Sequence, residues 1–355
     1  MPRTALVAGA SGLIGRRVTE QLLAHGWRVI ALARTPRADA RMRWIAADLN
    51  DAGDCKLKLG ALTDVTHVFY TARFDHPEGV PESVEINTAM LVNLIDAVEP
   101  VAQLAHVHVV HGSKYYGHQL GPVALPMTED TPRAKNRNFY FEQEDFLRAR
   151  CRGKRWTYST SRPHSFCDPS PDYARSASLL IAVYAAVQRE LGLPLDFPGS
   201  AQGFSVRTQF TETALLARAI HWMAEEPRCA NEGFNVVNGD NPRWRDLWPR
   251  FAHDFGLAAG VPRNVKLADT MSGKSAVWDA IVKKHGLRAS KLDALVLWAY
   301  GDYLFRPEWD IYSSMAKARA LGFAEAIDSG DMFARHFASY RSEEHTSELQ
   351  SRFGI

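Results

Sequence analysis

Two rhythms of apolar residues alternate along the first half of the chain. "TALVAG", starting at Thr4, is a short apolar run ending in glycine, the pattern of a parallel strand buried on both faces. "ASGLIGRRVTEQLLAHG" then sets Ile14, Val18, Leu22 and Leu23 at helical spacing and stops at Gly26. "WRVIALAR" is another buried strand, so the chain opens as strand, glycine turn, helix, strand. The same reading predicts strands in "MRWIAADLND", "VTHVFYTAR", "HVHVVHGSKYYG" and "WTYSTSRPHSFC". Helices are predicted in "EINTAMLVNLIDAVE" and "NFYFEQEDFLRAR". The fold class is α/β, a Rossmann-type doubly wound parallel sheet. Later come two apolar helices, "ASLLIAVYAAVQRELG" and "TQFTETALLARAIHWMAEEP", a strand "GFNVVNGD", and a helical, aromatic-rich remainder.

Composition narrows the class. The chain has 355 residues, 46% hydrophobic and 23% charged, enough for one large domain or two coupled ones. A net charge of +2 gives no electrostatic case for nucleic acid or an anionic membrane. No run approaches the roughly 20 apolar residues of a membrane span, and the N-terminus lacks the apolar core of a signal peptide. A cytoplasmic protein is expected. Cys55, Cys151, Cys167 and Cys229 are scattered, without a CxxC pair, and read as reduced thiols, with Cys167 the one to watch for reactivity. The last residues, "RSEEHTSELQSRFGI", are polar and aperiodic, and 341–355 is set aside as a non-native tail.

The first turn carries Gly9, Gly12 and Gly15 between a strand and a helix. Gly9 permits the tight turn, Gly12 lets backbone approach a pyrophosphate, and Gly15 allows close helix–strand contact. Ser11, Leu13 and Ile14 complete this expected nucleotide site. An NAD site would place a carboxylate at the end of the second strand, which reads "ALARTPR". Arg34 stands there, with Arg37 close behind, and a guanidinium suits a 2′-phosphate, so NADPH is the expected cofactor. Asp48 and Leu49 are expected at the adenine edge. Thr71 and Ala72, after the fourth strand, belong to the same set. Pro163, Ser165 and Phe166 are expected near the nicotinamide, and Ser113 and Lys114 lie beyond the carboxyl end of the fifth strand.

Tyr140 opens a predicted helix, but four residues later, where many reductases carry a lysine, stands Glu144. If Lys114 reaches the same crevice, its ammonium supplies the missing charge. It would stabilise phenolate, and the phenol would stabilise or protonate an oxyanion. At this point the chain resembles the progesterone 5β-reductase/iridoid synthase-like enzymes, an atypical branch of the extended short-chain dehydrogenases/reductases. The resemblance rests on "GASGLIG", "ALART", "DVTHVFY", "GSKYYG", "NFYFEQED", "SRPH" and "NEGFNVVNGD", extended by "RWRDLWP" and "KARALGF". It implies Lys114 and Tyr140 as the catalytic pair. The implied reaction is NADPH-dependent 1,4-reduction of an enone or enal, with hydride to the β-carbon and the enolate held by Tyr140 and Lys114.

The resemblance also implies an NADP-binding domain over about 1–165 and a smaller substrate-binding region over about 166–340, interleaved with the sheet. Tyr116, Tyr303 and Phe305 are the expected substrate-pocket residues, the last two from the cluster "LWAYGDYLFRPEW". The chain departs from the family at Phe141, where a second tyrosine is common, at Ala8, and at Asp168–Pro169 after "SRPH". His106, His108 and His111 follow strand alternation, no HExxH occurs, and no metal is expected. A small-molecule substrate is the expected partner, and a homodimer is left open. Two rival readings remain: an extended-type sugar epimerase or dehydratase, and a non-enzymatic NADP-binding sensor.

Overall fold

The computed structural model describes residues 3–37, 39–74, 76, 80 and 82–341. All but the first residue of the set-aside tail lies outside them. The chain forms two compact units. The first comprises Met1–His164, Thr213–Val236 and Ser313–Ala324; the second comprises Ser165–Glu212, Val237–Tyr312 and Glu325–Ile355.

The first unit is built on seven strands: β1 (Thr4–Ala8), β2 (Arg28–Ala33), β3 (Arg43–Ala46), β4 (His67–Tyr70), β5 (His106–Val110), β6 (Thr157–Pro163) and β7 (Glu232–Val236). All pairs are parallel, and the order is β7-β6-β5-β4-β1-β2-β3. The order reverses between β1 and β4, the switch point outside which open parallel sheets bind ligands. Five helices cover the sheet: α1 (Leu13–Ala24), α2 (Ala52–Leu59), α3 (Val84–Val98), α4 (Phe139–Arg150) and α5 (Thr213–Glu225). α1 packs on α5, and α2, α3 and α4 pack in sequence. Leu91 and Leu94 of α3 and Leu147 of α4 are fully buried with Leu6, Val68 and Val107, about 1.5–3 kcal/mol for each leucine side chain. The Ser83 hydroxyl caps α3 by accepting from Ile86 N at 3.1 Å, which contributes about 1 kcal/mol.

Two expectations about element boundaries change. β3 stops at Ala46, which leaves Asp48 and Leu49 in the following turn. "WTYSTSRPHSFC" is two strands, because β6 ends at Pro163, which has no N–H to extend the ladder. Ser165–Cys167 then pairs in parallel with Phe210–Glu212 in the second unit.

The second unit's core is aromatic. Phe197 packs edge-on against Trp248 at 5.1 Å and Phe305 at 5.3 Å, and Phe251 meets Phe333 at 4.7 Å. Helix Ala177–Glu190 is buried over most of its surface, which explains its apolar character all round. No helix among the described residues is long and apolar enough to cross a membrane.

Candidate active site

The glycine turn closes as the spacing requires. Gly9 sits at φ +81°, in the left-handed region, and a Cβ there would lie 2.9 Å from Ala72 N. Gly15 has no room for a side chain either, because its Cβ would drive into the Gly9 carbonyl. The Thr71 hydroxyl donates to Ala8 O at 2.8 Å and props the turn from below. Gly12 caps α1 without a side chain, and among the described residues no side-chain cap covers the helix's first N–H groups. An uncapped helix start behind a glycine turn fits a dinucleotide's pyrophosphate.

The arginines beside the turn differ in their anchoring. Arg37 donates to Ser11 O at 3.1 Å, which ties its guanidinium to the glycine turn, whereas Arg34 is exposed just past β2. Asp48 uses its carboxylate locally, with Oδ1 accepting from Asn50 N at 3.0 Å and Asn50 Nδ2 at 3.1 Å. Leu49 is buried and its carbonyl accepts from Asn93.

The other half of the site lies at the carboxyl ends of β5 and β6. After β5 the chain runs through His111 and Gly112 into a single 3₁₀ turn, Ser113–Tyr116, which holds Lys114. Asn138 links this turn to α4. Its Oδ1 accepts from Tyr140 N at 3.0 Å as the helix cap, and its Nδ2 donates to Lys114 O at 3.4 Å. The Tyr140 ring stacks on His111, 4.9 Å between centroids and 28° between planes, with Phe139 edge-on at 4.5 Å. Its hydroxyl reaches Gly112, where a Cβ would lie 3.0 Å from Tyr140 Oη and 3.7 Å from the Pro163 carbonyl. The Lys114 ammonium lies 3.8 Å from Glu82, which also holds Arg73 at 2.6 Å. The Ser113 hydroxyl meets His118 Nε2 at 2.9 Å, and His118 stacks on His164 at 5.0 Å. Burial, then the charges of His164 and Lys114, keep His118 well below the ordinary imidazole value.

Glu144, in the position of the lost lysine, belongs to a separate network. It is 4% exposed, accepts from the Tyr115 hydroxyl at 2.7 Å and pairs with Arg133 at 3.1 Å. Arg162 lies over the Tyr115 ring at 3.6 Å and 3.6 Å from the Glu144 carboxylate. Burial raises Glu144, but the Tyr115 hydrogen bond and the charges of Arg162 and Arg133 outweigh it and hold the carboxyl below its usual range. Tyr116 joins the same network. Its hydroxyl donates to Asn235 Oδ1 at 2.7 Å and accepts from Arg162 at 3.1 Å, and burial pushes it up to about 12.

Ser165, Phe166, Tyr303 and Phe305 belong to the second unit. Phe305, expected in a pocket wall, is 3% exposed and wedged among Phe197, Trp244 and Trp248, so its packing is that of a core residue. Tyr303 is half-buried beside Tyr300, 6.5 Å between rings. The Cys167 thiol is fully buried, and burial raises it well above its ordinary value, opposite to the shift a reactive thiolate needs. Sequence reasoning gave no role to Gly112, His118 or Arg162. The only signal for the first two was the density of polar and glycine residues in "HGSKYYGH".

The sheet order, its switch point and the glycine turn define an extended short-chain dehydrogenase/reductase fold. A short-chain dehydrogenase/reductase superfamily protein from Agrobacterium tumefaciens, solved with bound NAD, superposes with a TM-score of 0.68 at 18% identity, covering 98% of this chain and 100% of that one. Sequence similarity goes further. The PRISE-like Rossmann-fold domain matches residues 5–344. A 3-oxo-Delta(4,5)-steroid 5-beta-reductase of Arabidopsis thaliana is 34% identical over 95% of this chain and 92% of its own length. An (S)-8-oxocitronellyl enol synthase of Nepeta racemosa is 33% identical over 93% of this chain and 88% of its own. The chain belongs to the PRISE-like Rossmann-fold family and is an oxidoreductase-class enzyme of the short-chain dehydrogenase/reductase superfamily.

Proposed function

We propose that this enzyme reduces the activated C=C bond of a small enone or enal, with Tyr140 and Lys114 as its catalytic pair and NADPH as its preferred reductant. The observation that carries the reading is the location of Tyr140 Oη against Gly112, at the carboxyl ends of β5 and β6, with Lys114 in the adjoining turn. The glycine turn and the uncapped start of α1 would hold the cofactor's pyrophosphate, and Arg37 and Arg34 would meet a 2′-phosphate. A reduced nicotinamide dinucleotide supplies the hydride when bound.

The chain's own residues manage the charge that develops on the substrate carbonyl oxygen. Tyr140 donates a hydrogen bond to that oxygen as it becomes an enolate oxyanion, and Lys114 favours negative charge on the phenol–enolate pair. Hydrogen bonding that strengthens only as charge develops accelerates the step rather than tightening ground-state binding. Two named relatives support this substrate class. A 3-oxo-Delta(4,5)-steroid is a conjugated enone, and an enol synthase is named for an enol product. The sugar-epimerase reading is disfavoured because Glu144, at the epimerase lysine position, is locked to Arg133 and Arg162.

The test is cofactor oxidation with cyclohexenone, comparing NADPH with NADH and wild type with Tyr140→Phe. Expected are turnover that prefers NADPH and a loss of about 10²–10⁴-fold in the variant. Undiminished turnover in Tyr140→Phe would refute the assignment.

A further inference from the structure

We propose that Gly112 is a positioning residue for Tyr140: the absence of a side chain there makes the space that the phenol oxygen occupies. The backbone does not require glycine. Gly112 has φ −176° and ψ 169°, an extended conformation open to any residue. The requirement comes from what a side chain would meet. A Cβ at this position would lie 3.0 Å from Tyr140 Oη and 3.6 Å from Cζ, with the Pro163 carbonyl at 3.7 Å behind it. A carbon–oxygen approach of 3.0 Å is inside ordinary van der Waals contact, so one partner must give way.

The phenol can yield only by small shifts within a fixed platform. The residue is 9% exposed, and its ring is stacked on His111 at 4.9 Å and braced edge-on by Phe139 at 4.5 Å. Its backbone is fixed by the Asn138 cap at the first turn of α4. A methyl group at 112 therefore displaces Oη by a few tenths of an ångström from the carboxyl ends of β5 and β6, with no new charge or hydrogen bond. Proton-donor geometry is sensitive at this scale, since misplacement by about 1 Å can cost on the order of 10²-fold in rate. In this view the glycine before "SKYY" is kept for a distance, and the platform under the ring holds that distance.

The proposal rests on Tyr140 being the acid of the reading above, so its test has two arms. The geometric arm is a stability cycle of wild type, Gly112→Ala, Tyr140→Phe and the double variant, each followed by thermal unfolding. At an extended position with space, glycine to alanine slightly stabilises by restricting the unfolded chain. Here Gly112→Ala is expected to lower the melting temperature by on the order of 2 °C, with most of the loss recovered when Tyr140→Phe removes the oxygen. Equal stabilisation in both backgrounds would overturn the proposal whatever the enzyme reduces. The kinetic arm measures enone turnover. Gly112→Ala is expected to lower kcat by about 10-fold or more while KM for the cofactor stays within about threefold, and Gly112→Val to lower kcat further. An unchanged kcat in Gly112→Ala would also overturn it. A wild type inactive on every enone, with the stability cycle as expected, would remove the functional reading and leave the steric relation standing.

Discussion

The two units each bury a cluster of chemistry-bearing side chains, and the second unit's cluster looks the more like an active site. There Ser178 Oγ meets His336 Nδ1 at 3.1 Å, and His336 Nε2 meets Glu212 Oε1 at 3.1 Å, the spacing of a nucleophile, a base and its orienting acid. In the first unit the Tyr140 hydroxyl faces Gly112. The difference lies in what surrounds the reactive oxygen. Ser178 is fully buried, and its hydroxyl also contacts Ser176 at 3.0 Å, Tyr340 at 2.9 Å and the Asp168 carbonyl at 3.3 Å. That oxygen is saturated and unreachable, so the triad spacing is packing that satisfies buried polar groups. Tyr140 borders a position without a side chain, at the strand ends where open parallel sheets work. A constellation of residue types is weaker evidence for a site than a place at the carboxyl ends of the strands.

The sharpest way to break this contrast is to remove both oxygens separately. Tyr140→Phe should cost about 10²–10⁴-fold in enone turnover. Ser178→Ala should leave kcat within about threefold and cost about 1–2 kcal/mol of stability. Reversal of the two results, read by steady-state kinetics and urea unfolding, would mean the second unit holds the chemistry.

Next in size is Glu144, the residue at the lost lysine's position. Glu144→Ala should destabilise the fold by about 3–5 kcal/mol, because Arg162, only 3% exposed, would be left without its carboxylate. Glu144→Lys, which restores the familiar spacing, should fare no better, since an ammonium would face Arg133 and Arg162. A urea midpoint unchanged in Glu144→Ala would show that the buried pair contributes nothing net.

Acid is the third lever. Burial pushes His106 and His111 down to about 3 and His67 to about 4, so all three stay neutral in the fold. The unfolded chain takes up these protons near the ordinary value of about 6.5, and the folded chain does not. A depressed folded value contributes stability that is complete above about pH 6.5 and is lost as pH falls toward the folded values. Each imidazole then contributes up to about 1.4 kcal/mol per pH unit to the loss. Urea midpoints should fall steadily between roughly pH 7 and pH 5, before most carboxylates titrate. A flat midpoint over that range would mean the imidazoles accept protons in the fold.

How much of this was legible depended on whether the signal was local. The glycine turn, the strand–helix alternation and the tyrosine at a helix start lie within short windows, and one asparagine, Asn138, joins Tyr140 to the Lys114 turn. The partners of Glu144 were not legible, because Arg133 and Arg162 come from separate segments and meet it only once β6 is in the sheet. Gly112 was silent for a different reason: an extended glycine leaves no turn signature, and its role appears only when the Tyr140 oxygen is located. The strand Glu232–Val236 reads correctly as a strand from "GFNVVNGD", but nothing local says that it pairs with β6 and completes the first unit's sheet. Phe305 was ambiguous because an aromatic residue in a cluster reads alike as wall or core until its neighbours are known.

The smallest expected effect concerns which arginine reads the cofactor. The sequence favours Arg34, at the place of the NAD-type carboxylate, but the anchored one is Arg37, whose guanidinium donates to Ser11 O in the glycine turn. A guanidinium already held loses less side-chain freedom on meeting a phosphate, so more of the interaction remains as net affinity. Arg37→Ala should therefore raise KM for NADPH by roughly 5–10-fold with little change for NADH, and Arg34→Ala by roughly 2–3-fold. Steady-state KM values for both cofactors in the two variants decide it. A larger effect from Arg34, or equal loss with NADH, would mean that the hydrogen bond to Ser11 braces the turn and leaves phosphate recognition to Arg34.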